Sequence, residues 1–270
     1  MKSIYVTGSG QCGETFVFNL FKNNKKILAF DESRPLISSY YKFIKYNKLN
    51  IDDEPLFKTI ENDIKKISQK KKIRLESSSF LSLHAADISK KFGSKIIILL
   101  RNPFDVANSL VKKGWYKDKY FKKDKKKIIG YQGVSTHLYN KHHNFCRLSP
   151  KGNYFYSWNK LDPLLKVKWY WDTIYTEIFK DLKKIPQKNY KIIKIEELDY
   201  KKYIELSKWI GITPELNRFI FNLKVKLVKR KNNKRNKIEV KKFTKLKSKI
   251  EKLYYKENLF LIYQYDTQTF

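Results

Sequence analysis

The sequence predicts an α/β fold of three layers, α/β/α, with helices on both sides of a central parallel sheet. Three observations carry that expectation. Ile96-Ile97-Ile98-Leu99-Leu100 is an unbroken apolar run without period-2 alternation, the pattern of a strand covered on both faces. Residues 3–7 form a second short strand, followed by the Gly-rich stretch Gly8-Ser9-Gly10-Gln11-Cys12-Gly13-Glu14-Thr15. Strand-like and helix-like segments then alternate along the chain, which is how a parallel sheet with crossover helices is written.

The first strand and its loop run into a helical stretch at residues 16–21. Glycines let backbone N–H groups turn inward, and a helix N-terminus favours an anion, so strand, loop and helix form a phosphate cradle. A merely Gly-rich turn is the alternative. The spacing matches the nucleoside-triphosphate P-loop, G-x-x-x-x-G-K-S/T, except that Glu14 stands where the Lys belongs. A carboxylate there repels a β- or γ-phosphate and disfavours ordinary ATP or GTP hydrolysis.

Residues 27–30 read as a second strand ending at Asp31-Glu32. Residues 36–48 and 54–69 carry helical spacing, joined by Asp52-Asp53-Glu54-Pro55. Residues 72–76 form a third strand with Arg74 and Glu76 on one side of the pleat. Ser77-Ser78-Ser79 is a turn and a candidate N-cap for a helix over residues 80–92.

The apolar strand ends at Arg101. Asn102-Pro103 punctuates the turn, because proline fixes φ and disfavours helix in the residue before it. Residues 105–111 read as a helix with Val106, Leu110 and Val111 on one face, closing at Gly114. Arg101 at a carboxyl strand tip and Ser109 on that helix can share the crevice where open α/β sheets bind ligands. A guanidinium fork beside a hydroxyl suits a phosphate. Pairing of Arg101 with Asp105 is the competing reading.

Together these stretches resemble the sulfotransferase family, which moves a sulfuryl group from 3′-phosphoadenosine-5′-phosphosulfate (PAPS) to a hydroxyl or amine, leaving the bisphosphate PAP. Its members open with a strand and a loop like G-x-x-R/K-S-G-T/S-T/S, which holds the 5′-phosphosulfate. About ninety residues on they carry a strand ending in R-D/N-P-x-D-x-x-x-S, which holds the 3′-phosphate. Arg101-Asn102-Pro103-Phe104-Asp105-Val106-Ala107-Asn108-Ser109 fits the second motif, and Gly10-Gln11-Cys12-Gly13-Glu14-Thr15 fits the first in part. Ile192-Ile193-Lys194-Ile195-Glu196-Glu197-Leu198 is similar to the late strand and "YEDL" turn, ahead of a helix and Trp209-Ile210-Gly211-Ile212. Trp169-Tyr170-Trp171-Asp172 resembles the helix before that strand, so the resemblance spans residues 3–212 in order.

The resemblance implies a P-loop nucleotide-hydrolase-like fold that uses PAPS as donor and no metal. It places Gly10, Gln11, Cys12, Gly13, Glu14, Thr15 and Phe16 at the 5′-phosphosulfate and Arg101 and Ser109 at the 3′-phosphate. Arg230 and Lys231, in the basic loop over residues 229–237, would finish that pocket. Ser33-Arg34-Pro35 resembles the family's acidic-x-x-Pro loop near the acceptor, and Cys12 fills a family Ser position. The candidate bases are Glu76, in a segment like the family's E-K-S/T-P, and His84, two turns into the next helix. A helical His is otherwise a surface or half-core residue. Two departures matter: Gln11 replaces the loop base and Ser77 the strand-end Lys. Two positive charges for the leaving phosphate are thus missing, with Lys112, Lys113 and Arg74 as candidate substitutes. Without a substitute, the chain is a slow or catalytically dead relative that still binds the nucleotide.

A length of 270 residues suits one domain, and 41% hydrophobic with 16% aromatic residues argues for a globular chain. No apolar run approaches the ~20 residues of a membrane span. Met1-Lys2 leads directly into the first strand with no room for a signal peptide, so the expected location is cytoplasmic. Cys12 and Cys146 are too few for a disulfide framework or metal cluster.

The net charge is +33, and 52 of the 59 basic residues are Lys, part of which an AT-rich coding bias explains. The charge attracts anions, whether nucleotide, acidic glycan, nucleic acid or anionic lipid, without selecting among them. An insertion over about residues 115–165 reads as a lid or binding loop rich in aromatic residues, with a carbohydrate acceptor as one reading and ring packing as the other. Residues 243–263 read as a terminal helix. Two rival functions stay open at this stage: a P-loop-like nucleotide kinase or NTPase, and a dead basic relative that binds nucleotide or nucleic acid.

Overall fold

The computed structural model describes residues 2–116 and 146–236, the last nine by their backbone. Five strands, β1 (Ser3–Thr7), β2 (Ile27–Asp31), β3 (Ile73–Ser77), β4 (Lys95–Leu100) and β5 (Tyr190–Lys194), form one sheet in the order β2-β3-β1-β4-β5. Every pairing is parallel, and helices lie on both sides of the sheet. The helices are α1 (Glu14–Phe21), α2 (Pro35–Asn47), α3 (Glu54–Gln69), α4 (Ala85–Phe92), α5 (Pro103–Lys112), α6 (Tyr154–Asn159), α7 (Pro163–Leu182), α8 (Tyr200–Ile210) and α9 (Arg218–Asn236).

The chain packs as two compact units. One is built on residues through Leu198 with Trp209–Ile212, and the other on Asp199–Lys208 with the chain from Thr213. The sheet belongs to the first unit. In the second, the rings of Tyr200 and Tyr203 both meet Phe221, with centroids 5.7 and 5.5 Å away.

β4 lies between β1 and β5, and Ile96 through Leu100 are each no more than 3% exposed. This is why the run carries no polar alternation: both pleat faces are covered. Each such side chain contributes about 1.5–3 kcal/mol by leaving water. Register aligns the carboxyl ends. Thr7 of β1 pairs with Ile98, Asp31 of β2 with Ser77, and Leu100 of β4 with Lys194. The residues just past the strands therefore emerge along one edge, where the ligand crevice of such sheets lies.

Local signals set the helix starts. Asn102 caps α5, its side-chain oxygen accepting from the Phe104 and Asp105 N–H groups at 2.9 and 3.4 Å, with Pro103 inside the first turn. The helix expected over 80–92 instead opens as a 3₁₀ turn, Ser79–His84, before α4 begins. The serines do not cap it. Ser77 stays in β3 and its hydroxyl donates to the Glu14 carbonyl at 2.9 Å, so it holds the loop rather than the helix.

The basic run read as a loop over 229–237 continues α9 as helix through Asn236, with no Gly or Pro to break it. The terminal helix expected at 243–263 lies outside the described residues, as does most of the insertion, including His137, His142 and His143.

Where the insertion is described, its buried rings pack. Trp115, Tyr116 and Trp158 are buried, with Tyr116 and Trp158 centroids 5.3 Å apart and Trp158 5.4 Å from Trp169 of α7. The Arg147 guanidinium stacks 3.9 Å above Trp115. Tyr154 and Tyr156 remain exposed.

Arg74 and Glu76 share one side of β3, as alternation requires, and the Arg74 Nη2 donates to Glu76 Oε2 at 2.6 Å. Both are 2% exposed. Asp63 of α3 accepts from Arg74 at 3.3 Å and from Arg34 in a two-pronged pair, while the Ser33 N–H and hydroxyl donate to Glu76 at 2.9 and 2.8 Å. The Arg74 guanidinium lies 5.0 Å from the Phe30 ring. This network fixes the β2–α2 connection to β3 and α3. Arg74→Met is expected to cost about 3–5 kcal/mol, because it leaves the Glu76 charge buried without its cation. Urea unfolding should show a lower midpoint, with a smaller loss for Asp63→Asn at the more exposed end of the network.

Candidate functional site

The site forms where β1 hands over to α1. A Cβ on Gly8 would lie 2.7 Å from the Leu99 carbonyl, and one on Gly13 would lie 2.6 Å from Ile195, so the loop passes too close to β4 and the β5 turn for any side chain there. Gly13 also has φ 104°, in the left-handed region that glycine reaches at little cost. Gln11, at φ 58°, takes the same region without that licence.

The predicted 3′-phosphate pair comes together around this Gln. Arg101 Nη1 donates to the Gln11 carbonyl at 3.0 Å, and the Ser109 hydroxyl donates to Gln11 Oε1 at 2.9 Å. Asp105 lies 3.8 Å from Arg101, a secondary contact at the exposed side. Glu196, in the turn after β5, accepts from the Asn102 N–H at 2.8 Å, so the third matching segment braces the second.

Glu14 is the least expected member. Its carboxylate turns back over its own loop, accepting from the Gly10 N–H at 3.1 Å and the Cys12 N–H at 2.8 Å. These are the inward-turned donors that the sequence offers to a phosphate. Burial pushes the Glu14 carboxyl above the ordinary value, opposed by its loop hydrogen bonds and by the Lys42 charge.

Cys12 is fully buried, with Ser9 Oγ at 3.1 Å and Tyr175 Oη at 3.2 Å. Burial, and then the Glu14 charge, push its thiol up to about 12, so it fills space as a neutral group. Tyr175 of α7 braces the loop: its hydroxyl donates to the Leu99 carbonyl and receives the Ser9 N–H at 3.3 Å. Thr15 is exposed and its hydroxyl bonds to Asp31, whose carboxyl burial pushes up. Phe16 is half-buried beside it.

Behind the loop sits a cluster that sequence reasoning missed. Lys42, on α2, is 3% exposed and donates to the Ser79 carbonyl at 3.0 Å and to Tyr170 Oη at 2.7 Å. Burial drives its ammonium down to about 7, opposed by Glu14 and Glu32. Glu32, just past β2, accepts from the Ser79 hydroxyl at 3.1 Å. Burial pushes its carboxyl up to about 7, with Glu14 and Asp31 adding to the rise. Glu32 has φ 51°, a conformation that a side-chain-bearing residue rarely takes.

The two sequence-predicted bases are placed differently. Both Glu76 oxygens are occupied, one by the Ser33 N–H and the other by Arg74 and the Ser33 hydroxyl. His84 is wholly buried with neither ring nitrogen hydrogen-bonded, its Nε2 3.9 Å from Asp53 and its ring 6.1 Å from that of Phe57. Burial drives it down to about 3, so it is a neutral core imidazole. Arg230 and Lys231 lie on α9 in the second unit, described by backbone alone. Two clefts of about 270 and 650 Å³ lie elsewhere, around Lys45, Glu177 and Asp181. Among the described residues no group of three or more His, Cys, Asp or Glu could hold a metal ion, and no helix is long and apolar enough to cross a membrane.

The Sulfotransferase domain family matches the chain over residues 2–198. Among solved structures, the sulfotransferase domain from the curacin biosynthetic pathway is similar at 13% identity and TM-score 0.45, covering 79% of this chain and 77% of that one. The sulfotransferase domain from the Synechococcus PCC 7002 olefin synthase is similar at 10% identity and TM-score 0.44, covering 78% and 72%. No curated protein matches the chain in sequence. With the family matched over most of its length, from β1 to the turn after β5, this chain belongs to the sulfotransferase domain family.

Proposed function

We propose that the chain is a PAPS-dependent sulfotransferase acting on a hydroxyl acceptor. The observation that carries this reading is the convergence of Arg101 and Ser109 on Gln11 beside a loop whose N–H groups already hold a carboxylate. N–H groups that hold a carboxylate fit a sulfate or phosphate oxygen equally well, and an Arg with a neighbouring hydroxyl fits the 3′-phosphate. In this reading Thr15 donates to the 5′-phosphosulfate once it turns from Asp31.

The donor supplies the sulfuryl group. Glu32, rather than the engaged Glu76 or the buried His84, takes the acceptor's proton, since its carboxyl sits near 7 and is only half-buried. The acceptor O–S bond forms as the bond from sulfur to the bridging phosphate oxygen breaks, in line, and PAP leaves. Lys42 balances Glu32 and Glu14 from behind and provides a cation near the site that Gln11 and Ser77 do not. Gln11 supplies an amide in place of a charge, so a slow enzyme is expected, about 10²–10³ below a site with a full set of donors. The exposed Tyr154 and Tyr156 make a carbohydrate acceptor the first class to try. A non-catalytic nucleotide-binding relative is the second reading, favoured by the Glu14 carboxylate on the loop donors.

PAP should bind more tightly than AMP or ATP at moderate salt. Arg101→Ala should remove that preference, a loss of about 1.5–3 kcal/mol or roughly 10–100-fold by titration calorimetry. Equal binding of all three nucleotides would sink the donor-site reading.

The pH profile of kcat/KM should be bell-shaped around 7. A base raised to about 7 gains activity as pH rises through that value, whereas a Lys lowered to about 7 loses its charge above it. Followed as PAP release from PAPS with neutral oligosaccharides, Glu32→Gln should lower kcat about 10²–10⁴-fold. Lys42→Met should lose the alkaline limb. Release by the wild type no faster than by Glu32→Gln would favour the non-catalytic reading.

A further inference from the structure

Glu14 occupies the place that the family's chemistry reserves for the ligand. Its two carboxylate oxygens take the Gly10 and Cys12 N–H groups at 3.1 and 2.8 Å, the residue is 7% exposed, and its backbone carbonyl is pinned by the Ser77 hydroxyl. We propose that Glu14 is an internal competitor for the donor's 5′ anion: binding displaces its carboxylate from these two N–H groups and takes up a proton. This rests on the donor-site reading above and adds to it a residue that sets when and how tightly the donor binds.

Two anions cannot share one set of donors. Like charges at hydrogen-bond range raise one another's proton affinity until one is neutral. A displaced, ionised Glu14 would have to carry its charge through a buried neighbourhood. From β2 it faces Glu32, with Asp31 beside that; from its own loop, Cys12; from α7, Tyr170 and Tyr175; and from α2, Lys42. Lys42 is the one cation in this set, and it already donates to the Ser79 carbonyl and Tyr170. Protonation is therefore the cheaper exit, and burial has already moved the carboxyl upward in the free protein.

The sign follows. Bound donor raises the Glu14 proton affinity further. Between the free and bound midpoints each binding event consumes up to one proton, and affinity falls as pH rises, by at most about tenfold per unit. Below the free midpoint Glu14 is already protonated and the dependence vanishes.

The test is titration calorimetry with PAP across neutral to mildly alkaline pH, in two buffers of different ionisation enthalpy, on wild type, Glu14→Gln and Glu14→Ala. Wild type should take up more protons than either variant, which cancels the ligand's own ionisation. At the alkaline end both variants should bind PAP about tenfold tighter or more. Should one variant not fold, as judged by circular dichroism, the other serves for the comparison, because Glu32 and Lys42 titrate in the same range and only the difference from wild type isolates Glu14. An uptake no larger than the PAP phosphates require overturns the inference. If PAP is still preferred over AMP but neither proton count nor affinity differs between wild type and variants, Glu14 is no competitor and the donor reading stands. If neither wild type nor variants bind PAP at any pH, both fall together.

Discussion

The parallel pairing of β1 with β3 on one side and β4 on the other is the constraint on which the site depends. It places the end of β1 at the middle of the sheet's carboxyl edge, between Ser77 of β3 and Arg101 after β4. The Gly8 backbone can then lie against the Leu99 carbonyl, closer than any side chain would allow. That contact turns the loop so that its N–H groups face inward rather than toward solvent, and Tyr175 locks it by bridging Ser9 and Leu99. Even the Ser109 contact, which comes from α5, depends on this register. Shift β4 by one residue and Ile98 would no longer oppose Thr7, and Arg101 would leave the Gln11 carbonyl.

The electrostatics built on this frame are dominated by carboxyl groups. Glu14 and Glu32 stand within the field of the buried Lys42 ammonium, while Asp31, at the exposed end of β2, and Glu32 also feel Lys113. Burial raises all three carboxyls and lowers the lysine, and Glu32 and Lys42 both reach about 7. A group poised there can give or take a proton at little cost, which is what acid–base chemistry needs and what a permanently charged pocket lacks. Arg101 brings a positive charge to the loop through its bond to the Gln11 carbonyl.

Much of this arrangement was legible in the sequence. The β4 run, the Arg101–Ser109 motif and the glycines of the loop each announce themselves through local rules: no alternation, an Asn-Pro turn, a backbone approach. Glu14 was legible as a departure, yet its direction was not, because nothing in a linear motif says that a carboxylate will fold back onto the loop's own donors. Lys42 was hidden for a different reason. It sits on an ordinary amphipathic helix in a chain full of lysines, and only tertiary packing turns it inward. Glu32 was visible merely as the end of a strand. His84 misleads in the opposite sense: a histidine near a motif invites a chemical role, but the 3₁₀ turn buries it beside Phe57 with no partner for either nitrogen.

The lysine content bears on how the +33 charge should be read. A surface Lys costs little wherever it falls, so an AT-rich coding bias accounts for part of it. A buried Lys is different, because each desolvated ammonium must be compensated or neutralised. Lys168 meets that demand through a doubly bonded Asp172 at 2.7 Å within α7, and its ammonium is still driven down by burial. Lys42 has no direct carboxylate contact of this kind. It relies on a carbonyl, a phenol and the fields of Glu14 and Glu32. Drift in codon usage can supply a lysine at such a position, but it cannot supply two carboxylates around it. Lys42 thus differs from the surface lysines in standing buried within the fields of two carboxylates.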